Sequence, residues 1–395
     1  MTDPHEPTRD IFDTGGRALR HTGLRRANEK TVLTVVGFNS GVSNAEIARM
    51  SGLAPQTVSA ILADLERSGL VKRGPALRGR RGQPATPIML DQDGAYAIGV
   101  ELGWKHLDVI LLNLRAEVLA HRHLDYAYPA AEDIVGQIAA IAAEFRALLP
   151  AGRQPRLLDL GLAMPGRLAD NLDLLGAPSA EIARWHALDL PAELAARTGL
   201  EISPLKDGNA ACWAELIALP QPRPANVLYL LVSHYVAAGI IADGILWNGP
   251  TGNAANLGSM LVQLDGGGPR QAHFIASLWA LGQRLDRAGK PHDLARRAEW
   301  DWAGIEAEVE AWIGEAAQAL ARTAFNATSV VEAPLVVVDT VLDGALTQRF
   351  ATRFEAELAA LPIRNFKTPR VVTGRHGALA PAIGAAELPL FRRYF

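Results

Sequence analysis

Cysteine is nearly absent from this chain of 395 residues, with Cys212 its one thiol. A disulfide framework is thereby excluded, as is any zinc site built from several cysteines. Long apolar runs are lacking too, because no segment approaches the roughly 18 consecutive apolar residues of a spanning helix. The opening MTDPHEPTRD mixes acids with prolines and has neither the basic start nor the apolar run of a signal peptide. The expected location is the cytoplasm. What remains is an ordinary soluble composition, 49% hydrophobic and 21% charged, long enough for two or three domains with cores of their own.

Net charge is only -3, but its distribution is uneven. Residues 1–92 hold 13 Lys and Arg against 9 Asp and Glu, a balance of +4 that leaves -7 for the rest. Within that basic part Lys72, Arg73, Arg78, Arg80 and Arg81 fall in ten residues without an acid. Such a run is often only a solvated face, and its neighbours decide otherwise.

The segment SNAEIARMSGLAPQTVSAILADLERSGLV opens with Ser43 and Glu46 in the spacing of a capping box. A short helix with Ile47 and Met50 on its apolar stripe follows, the Ser51–Leu53 stretch turns the chain, and Pro55 starts a second helix. Val58, Ile61, Leu62 and Leu65 recur at three- and four-residue spacing and point inward. The other face presents Gln56, Thr57, Ser59 and Ala60, as a recognition helix presents small and hydrogen-bonding residues to base edges. A preceding helix near 25–38 supplies the third support, and GPALRGRRGQPATPIML loops between two strands as a wing. A plain three-helix bundle leaves that loop unexplained. The expectation is a winged helix-turn-helix over 24–92 behind a flexible tail of 1–23. Gln56, Thr57 and Ser59 would read bases, while Arg73, Arg78, Arg80 and Arg81 would meet phosphates or the minor groove.

From about Asp93 strand-like and helix-like segments alternate, which argues for an α/β fold of two related lobes facing a cleft. AYAIGVEL and LDVILLNL pair about GWKH, and EVLAHRHLDY makes a third strand. The helix EDIVGQIAAIAAEFRALL and the buried strand LLDLGLAMPGRL come next. The pattern repeats with ANVLYLLVS, AAGIIADGIL, a helical stretch near 272–328, the strands PLVVVD and RVVTG, and a closing helix APAIGAAELPLF. Trp279, Trp300, Trp302 and Trp312 in that stretch are expected mainly in the core, with an exposed subset as a possible subunit interface.

The motifs RRGQPA, GLAMPGRL, KDGNAACWAE, AAGIIADGIL, TGNAANLGSM and AIGAAEL, in this order, resemble the ROK family of bacterial sugar kinases and transcriptional repressors. That resemblance runs from residue 24 to the C-terminus. It implies an actin-like, ribonuclease H-like domain of two lobes, 93–205 with 380–395 returning to it, and 206–379. A winged helix in front is the family's repressor arrangement; its kinases lack that part.

The departures from the family are informative. Where the kinases have an Asp-x-Gly-Gly-Thr turn around the ATP phosphates, this chain has Glu101, Leu102, Gly103, Trp104 and Lys105. An indole replaces the glycine that lets a backbone approach phosphate. The second phosphate loop aligns with SHYVAAG, Ser233 to Gly239, and the adenosine-side Gly-Gly with Asp339 and Thr340. The family's zinc-binding Gly-Glu-x-Gly-His reads Ala255, Asn256, Leu257, Gly258, Ser259, and the loop LDGGGPRQAH has no cysteine. A regulator and not an enzyme is therefore expected, with no catalytic residue, no cofactor and no metal. The sugar-site positions carry Lys206, Asp207, Asn256, Ser259 and His273, still polar, so a sugar or sugar-acid effector remains in view. Asp207, the base in the family's kinases, would here hold a ligand hydroxyl or merely cap a helix. Implied partners are double-stranded DNA at a pseudo-palindromic operator and a second copy, as homodimer or homotetramer. Two alternatives stay open: a ROK domain that only dimerises or binds protein, and a sugar kinase with an added DNA-binding module.

Overall fold

A computed structural model describes residues 22–75, 86–264, 266–293, 300–362, 364 and 367–395. Three helices, α1 (Thr22–Phe38), α2 (Asn44–Ser51) and α3 (Pro55–Arg67), precede an antiparallel pair, β1 (Val71–Arg73) and β2 (Ile88–Leu90). The start of α2 is the expected capping box: Ser43 Oγ accepts from the Glu46 amide and the Glu46 carboxylate accepts from the Ser43 amide at 2.8 Å. Such a cap stabilises a helix by about 1 kcal/mol. Gly52, in the left-handed region at φ 70, ends α2, and Pro55 is the first residue of α3. Ile47, Val58, Ile61, Leu62 and Leu65 are buried against Val32, Leu33 and Val36 of α1.

The first lobe runs β3 (Tyr96–Leu102), β4 (His106–Asn113), β5 (Val118–Asp125), α4 (Ala131–Leu148), β6 (Leu157–Met164), α5 (Ser179–Ala187), α6 (Leu190–Thr198) and β7 (Glu201–Lys206). Its sheet has the order β5-β4-β3-β6-β7, antiparallel through β3 and parallel beyond it. Helix α7 (Asp207–Ala218) leads into β8 (Val227–Val232), β9 (Val236–Ala242) and β10 (Ile245–Leu246). A small hairpin, β11 (Leu261–Val262) with β12 (Arg270–Gln271), and the helices α8 (His273–Ala276), α9 (Leu278–Arg287) and α10 (Glu306–Val331) follow. Then come β13 (Leu335–Thr340), α11 (Gly344–Ala360), β14 (Arg370–Thr373) and α12 (Ala380–Tyr394). The second sheet, β10-β9-β8-β13-β14, repeats the plan of the first, so the two lobes are versions of one α/β unit.

Helices α7 and α12 lie between the two sheets. Gly99 of β3 and Gly161 of β6 lie against the Ala382 and Ala385 carbonyls of α12, while Gly208 of α7 lies against the β9 backbone at Ala238. The two helices touch each other where Gly384 meets the Ala210 carbonyl. At each of these positions a Cβ would overlap backbone atoms, which cannot give way.

The winged helix is seated on this body and shares a core with it. Ile110 and Leu112 of β4 and Ala382, Ile383 and Leu390 of α12 belong to the same buried cluster as α1 to α3. Lys30 Nζ donates to the Arg392 carbonyl at 2.5 Å, and the Arg223 guanidinium lies 4.9 Å from the centre of the Phe38 ring.

Two expectations need correction. The helical stretch near 272–328 is broken, because Ser277 caps a new helix by accepting from the Ala280 amide. None of the four tryptophans is exposed: Trp300 and Trp312 are buried, and Trp279 and Trp302 are half-buried against ring neighbours. The exposed apolar residues of the second lobe include Ile245 and Trp247 on the β9–β10 hairpin. No helix among the described residues is long and apolar enough to cross a membrane.

Candidate functional site

On α3, Gln56 and Ser59 are exposed and Thr57 is half-buried. Ser59 Oγ is held within the head, donating to the Pro55 carbonyl at 2.9 Å and accepting from Asn44 Nδ2 at 2.8 Å. Asn44, at the start of α2, thus joins that face unforeseen. Arg73 Nε donates to Glu66 Oε2 at 3.0 Å, a surface pair stabilising by at most about 1 kcal/mol and easily exchanged for a phosphate. Arg78, Arg80 and Arg81 lie outside the described residues.

The five effector-site residues expected from sequence come from distant points on the chain, yet all line one cavity of about 290 Å³ between the lobes. Lys206 ends β7 and Asp207 begins α7, so both sit at the C-terminal edge of a sheet, where α/β proteins bind ligands. Lys206 Nζ donates to the Ala254 carbonyl at 2.7 Å, and burial brings its pKa down to about 8 although Asp207 opposes the shift. Burial raises the Asp207 carboxyl from its ordinary range, against the pull of Lys206. Its Oδ1 accepts from the Gly208 amide at 2.6 Å, but the N-cap residue of α7 is Lys206, whose side chain makes no capping bond. His273 Nδ1 accepts from the Val236 amide at 3.2 Å, which leaves Nε2 as the protonated nitrogen, a tautomer inferred from that bond. Burial, with the Lys206 charge adding to it, pushes His273 down to about 4, so the ring is neutral. Asn256 Nδ2 donates to the Asn253 carbonyl at 3.1 Å, which leaves its amide oxygen for a ligand.

Several lining residues escaped the sequence analysis. Pro165, Gly166 and Arg167 come from the Pro-Gly turn after β6, and Asn171 and Gln271 also face the cavity. Asn253 lies inside TGNAANLGSM, three residues before Asn256, and its buried Oδ1 has no partner. The quoted motifs already contained Pro165, Gly166, Arg167 and Asn253; what was missing was the turn geometry that aims them.

The two loops that depart from phosphate-binding sequence meet across the cleft. Trp104 packs edge-on against Tyr235 at 5.1 Å between ring centres, and Tyr235 lies 5.8 Å from His273 and 6.4 Å from Phe274. Trp104, Tyr235 and Phe274 therefore give the polar cavity an aromatic wall. Behind it, the loop after β14 is held by the protein's own carboxylates. Glu215 accepts from the amides of Arg375 at 2.9 Å and His376 at 2.7 Å, and Asp339 from those of Thr340 at 2.9 Å and Gly377 at 3.0 Å. Burial, with Glu215 nearby, lifts Asp339 to about 7.

Residues 97–390 match the profile of the ROK family, and residues 22–82 that of the MarR family. A Sinorhizobium fredii protein named uncharacterized protein y4fQ is 26% identical over 378 residues, 93% of this chain and 92% of that one. A Bacillus spizizenii xylose repressor is 24% identical over 253 residues, and the match spans 62% of this chain and 63% of the repressor. The Escherichia coli DNA-binding transcriptional dual regulator NagC is 25% identical over 245 residues, 61% of this chain and 58% of NagC. Among solved structures, a ROK family transcriptional regulator described as a homolog of the E. coli MLC protein superposes with a TM-score of 0.67 at 19% identity, covering 93% of this chain and 96% of that one. A Streptomyces griseus ROK family glucokinase in complex with glucose and AMPPNP gives a TM-score of 0.60 at 21% identity, over 74% of this chain and 99% of the enzyme.

Proposed function

Because the chain belongs to the ROK family and carries a winged helix ahead of that domain, we propose that it is a sequence-specific DNA-binding transcriptional regulator. In this reading it represses carbohydrate-related genes, answers to a sugar or sugar acid bound between the lobes, and has no kinase activity. The observation that carries the effector assignment is the interlobe cavity that gathers Lys206, Asp207, Asn256, Ser259 and His273 beside an aromatic wall. Asp207 would accept from a hydroxyl, neutral His273 and Ser259 would donate, and charged Lys206 would meet a ligand carboxylate. Against a kinase stand Trp104 and Tyr235, which fill the turns where phosphates would need glycine, and Asp339, which places a carboxylate on the adenosine side.

The route to DNA is short. Asp207 begins α7, α7 packs on α12, and α12 shares its core with α1 of the reading head. A ligand that binds one lobe arrangement better than another would shift the head through these contacts. A two-fold dimer would set two α3 helices on successive half-sites, with exposed Ile245 and Trp247 as candidate contacts.

A thermal-shift screen of sugars and sugar acids tests the effector. A ligand at a hundredfold excess over Kd stabilises by about 2.7 kcal/mol, and Asp207→Asn or Lys206→Met should abolish that shift while leaving the unliganded Tm in place. No stabilising compound in the screen would refute effector control. Arg80→Ala with Arg81→Ala should weaken binding to all DNA sequences and flatten the salt dependence; an unchanged slope removes the wing from the interface. ATP consumption with any sugar would overturn the non-enzyme reading, and a monomer in sedimentation the dimer.

A further inference from the structure

The first-lobe sheet carries a second group of reactive side chains outside the effector cavity. In the β4–β5 register Asp108 stands opposite His123, with His121 two residues earlier on the same face, and in the β3–β4 register Glu101 stands opposite Asp108. Gly99, two residues before Glu101, faces α12, so the whole row lies on that face and runs out to the free edge at β5. His121 Nε2 is 2.6 Å and His123 Nδ1 2.9 Å from the same oxygen, Asp108 Oδ1. The far nitrogen of His123, Nε2, is 3.1 Å from Asp125 Oδ1. Behind them His106 Nε2 lies 3.3 Å from Glu101 Oε1 and 3.6 Å from Asp108 Oδ2.

We propose that Asp108, His121 and His123 form a binding site for one divalent cation of the zinc class. Their donor atoms lie within 4.8 Å of one another, close enough for one ion with bonds of about 2.0–2.2 Å after small side-chain shifts. Two imidazoles and a carboxylate suit Zn²⁺ and its first-row neighbours and leave a coordination position for water. Two independent features point to a ligand. Asp125 on the far nitrogen of His123 is the carboxylate–imidazole pair that orients metal-binding histidines. Glu101 and Asp108 are both buried, neither has a Lys or Arg partner among the described residues, and Glu101 Oε2 has no hydrogen-bond partner. A divalent ion supplies the charge this row lacks. The site departs from the expectation of no metal, which rested on the missing cysteines of a different loop; these ligands come from β4 and β5.

The test uses full-length protein stripped with a chelator and titrated with Zn²⁺ by calorimetry, with Co²⁺ absorption as a second probe. Saturable uptake of one Zn²⁺ per chain is expected. His121→Ala with His123→Ala should weaken it at least a hundredfold, Asp125→Asn about tenfold to a hundredfold, and His186→Ala, on α5 and outside this row, not at all. The double variant also takes both imidazole partners from buried Asp108 and should lose stability without metal, whereas Asp125→Asn leaves those two bonds in place and should keep the wild-type Tm while still weakening uptake. No saturable uptake, or equal uptake by the double variant, overturns the proposal.

Discussion

The two ends of α7 open on cavities of opposite character. At its N-terminus Lys206 and Asp207 face the polar interlobe pocket; at its C-terminus Trp213 and Ile217 line an apolar cavity of about 370 Å³ under α1, walled by Val36, Leu390 and Phe395. The ends lie about 18 Å apart at 1.5 Å per residue. At the polar end each charge is met by backbone, Lys206 by a carbonyl and Asp207 by an amide. At the apolar end Glu387 is buried with an unpartnered Oε2, and burial, with Glu215 adding to it, lifts it to about 8, so it stays protonated at neutral pH. Between the ends, Gly208 and Ala210 let the helix touch β9 and α12 at backbone distance. Held at backbone distance on both sides, α7 is a rigid link between two unlike environments, which is what the proposed effector control requires of it.

Breaking the clamp should have the largest effect. Glu215→Ala empties a buried position and leaves the Arg375 and His376 amides without their acceptor, and should cost about 3 kcal/mol in urea unfolding, with Glu215→Gln milder. Gly384→Ala forces a Cβ onto the Ala210 carbonyl and should cost about 1–3 kcal/mol, read by the same method.

The two ends then separate by pH. A carboxyl raised in the folded state keeps its proton there while the unfolded chain loses it, so stability falls as pH climbs from the ordinary value to the raised one. For Glu387 that window runs from about 4.5 to about 8, and for Asp339 from about 3.8 to about 7. Wild-type Tm should therefore fall from pH 6 to about 8 and then level off, and Glu387→Gln should remove about 1.4 kcal/mol of that fall per pH unit, the share between pH 7 and 8 lying beyond the reach of Asp339. A Glu387→Gln curve parallel to wild type would mean that Glu387 is already ionised. The smallest effect belongs to the polar end. With Lys206 at about 8, affinity for a carboxylated ligand should be flat below pH 8 and then fall by up to about tenfold per unit, while neutral sugars should show no such trend.

Local pattern made much of this legible. The capping box at Ser43 and Glu46, the inward stripe from Val58 to Leu65 and the paired strands about GWKH depend on spacing alone, and they fold as spaced. The short α5 and α6 and the 17-residue α11 escaped notice. Of the site, Asp207 and Asn256 stood out because their motifs did. Glu215 and Asn253 lay in the same motifs unread, since their roles depend on what the folded chain brings to them. His121 and His123 carried a clue, an H-x-H on a strand, that says nothing until Asp108 is registered beside them.

By itself the sequence determined the order of the patterned elements and the phase of their helices and strands, because these follow from short-range spacing and residue size; the departures at Trp104, Ser233 and Asp339 were legible only beside the family pattern that the chain resembles. Only the tertiary structure decided which side chains meet. The interlobe cavity, the carboxylates holding the loop after β14 and the histidine row on β5 each join residues far apart in sequence. Such contacts are set by sheet register and by the backbone-close packing of α7 and α12.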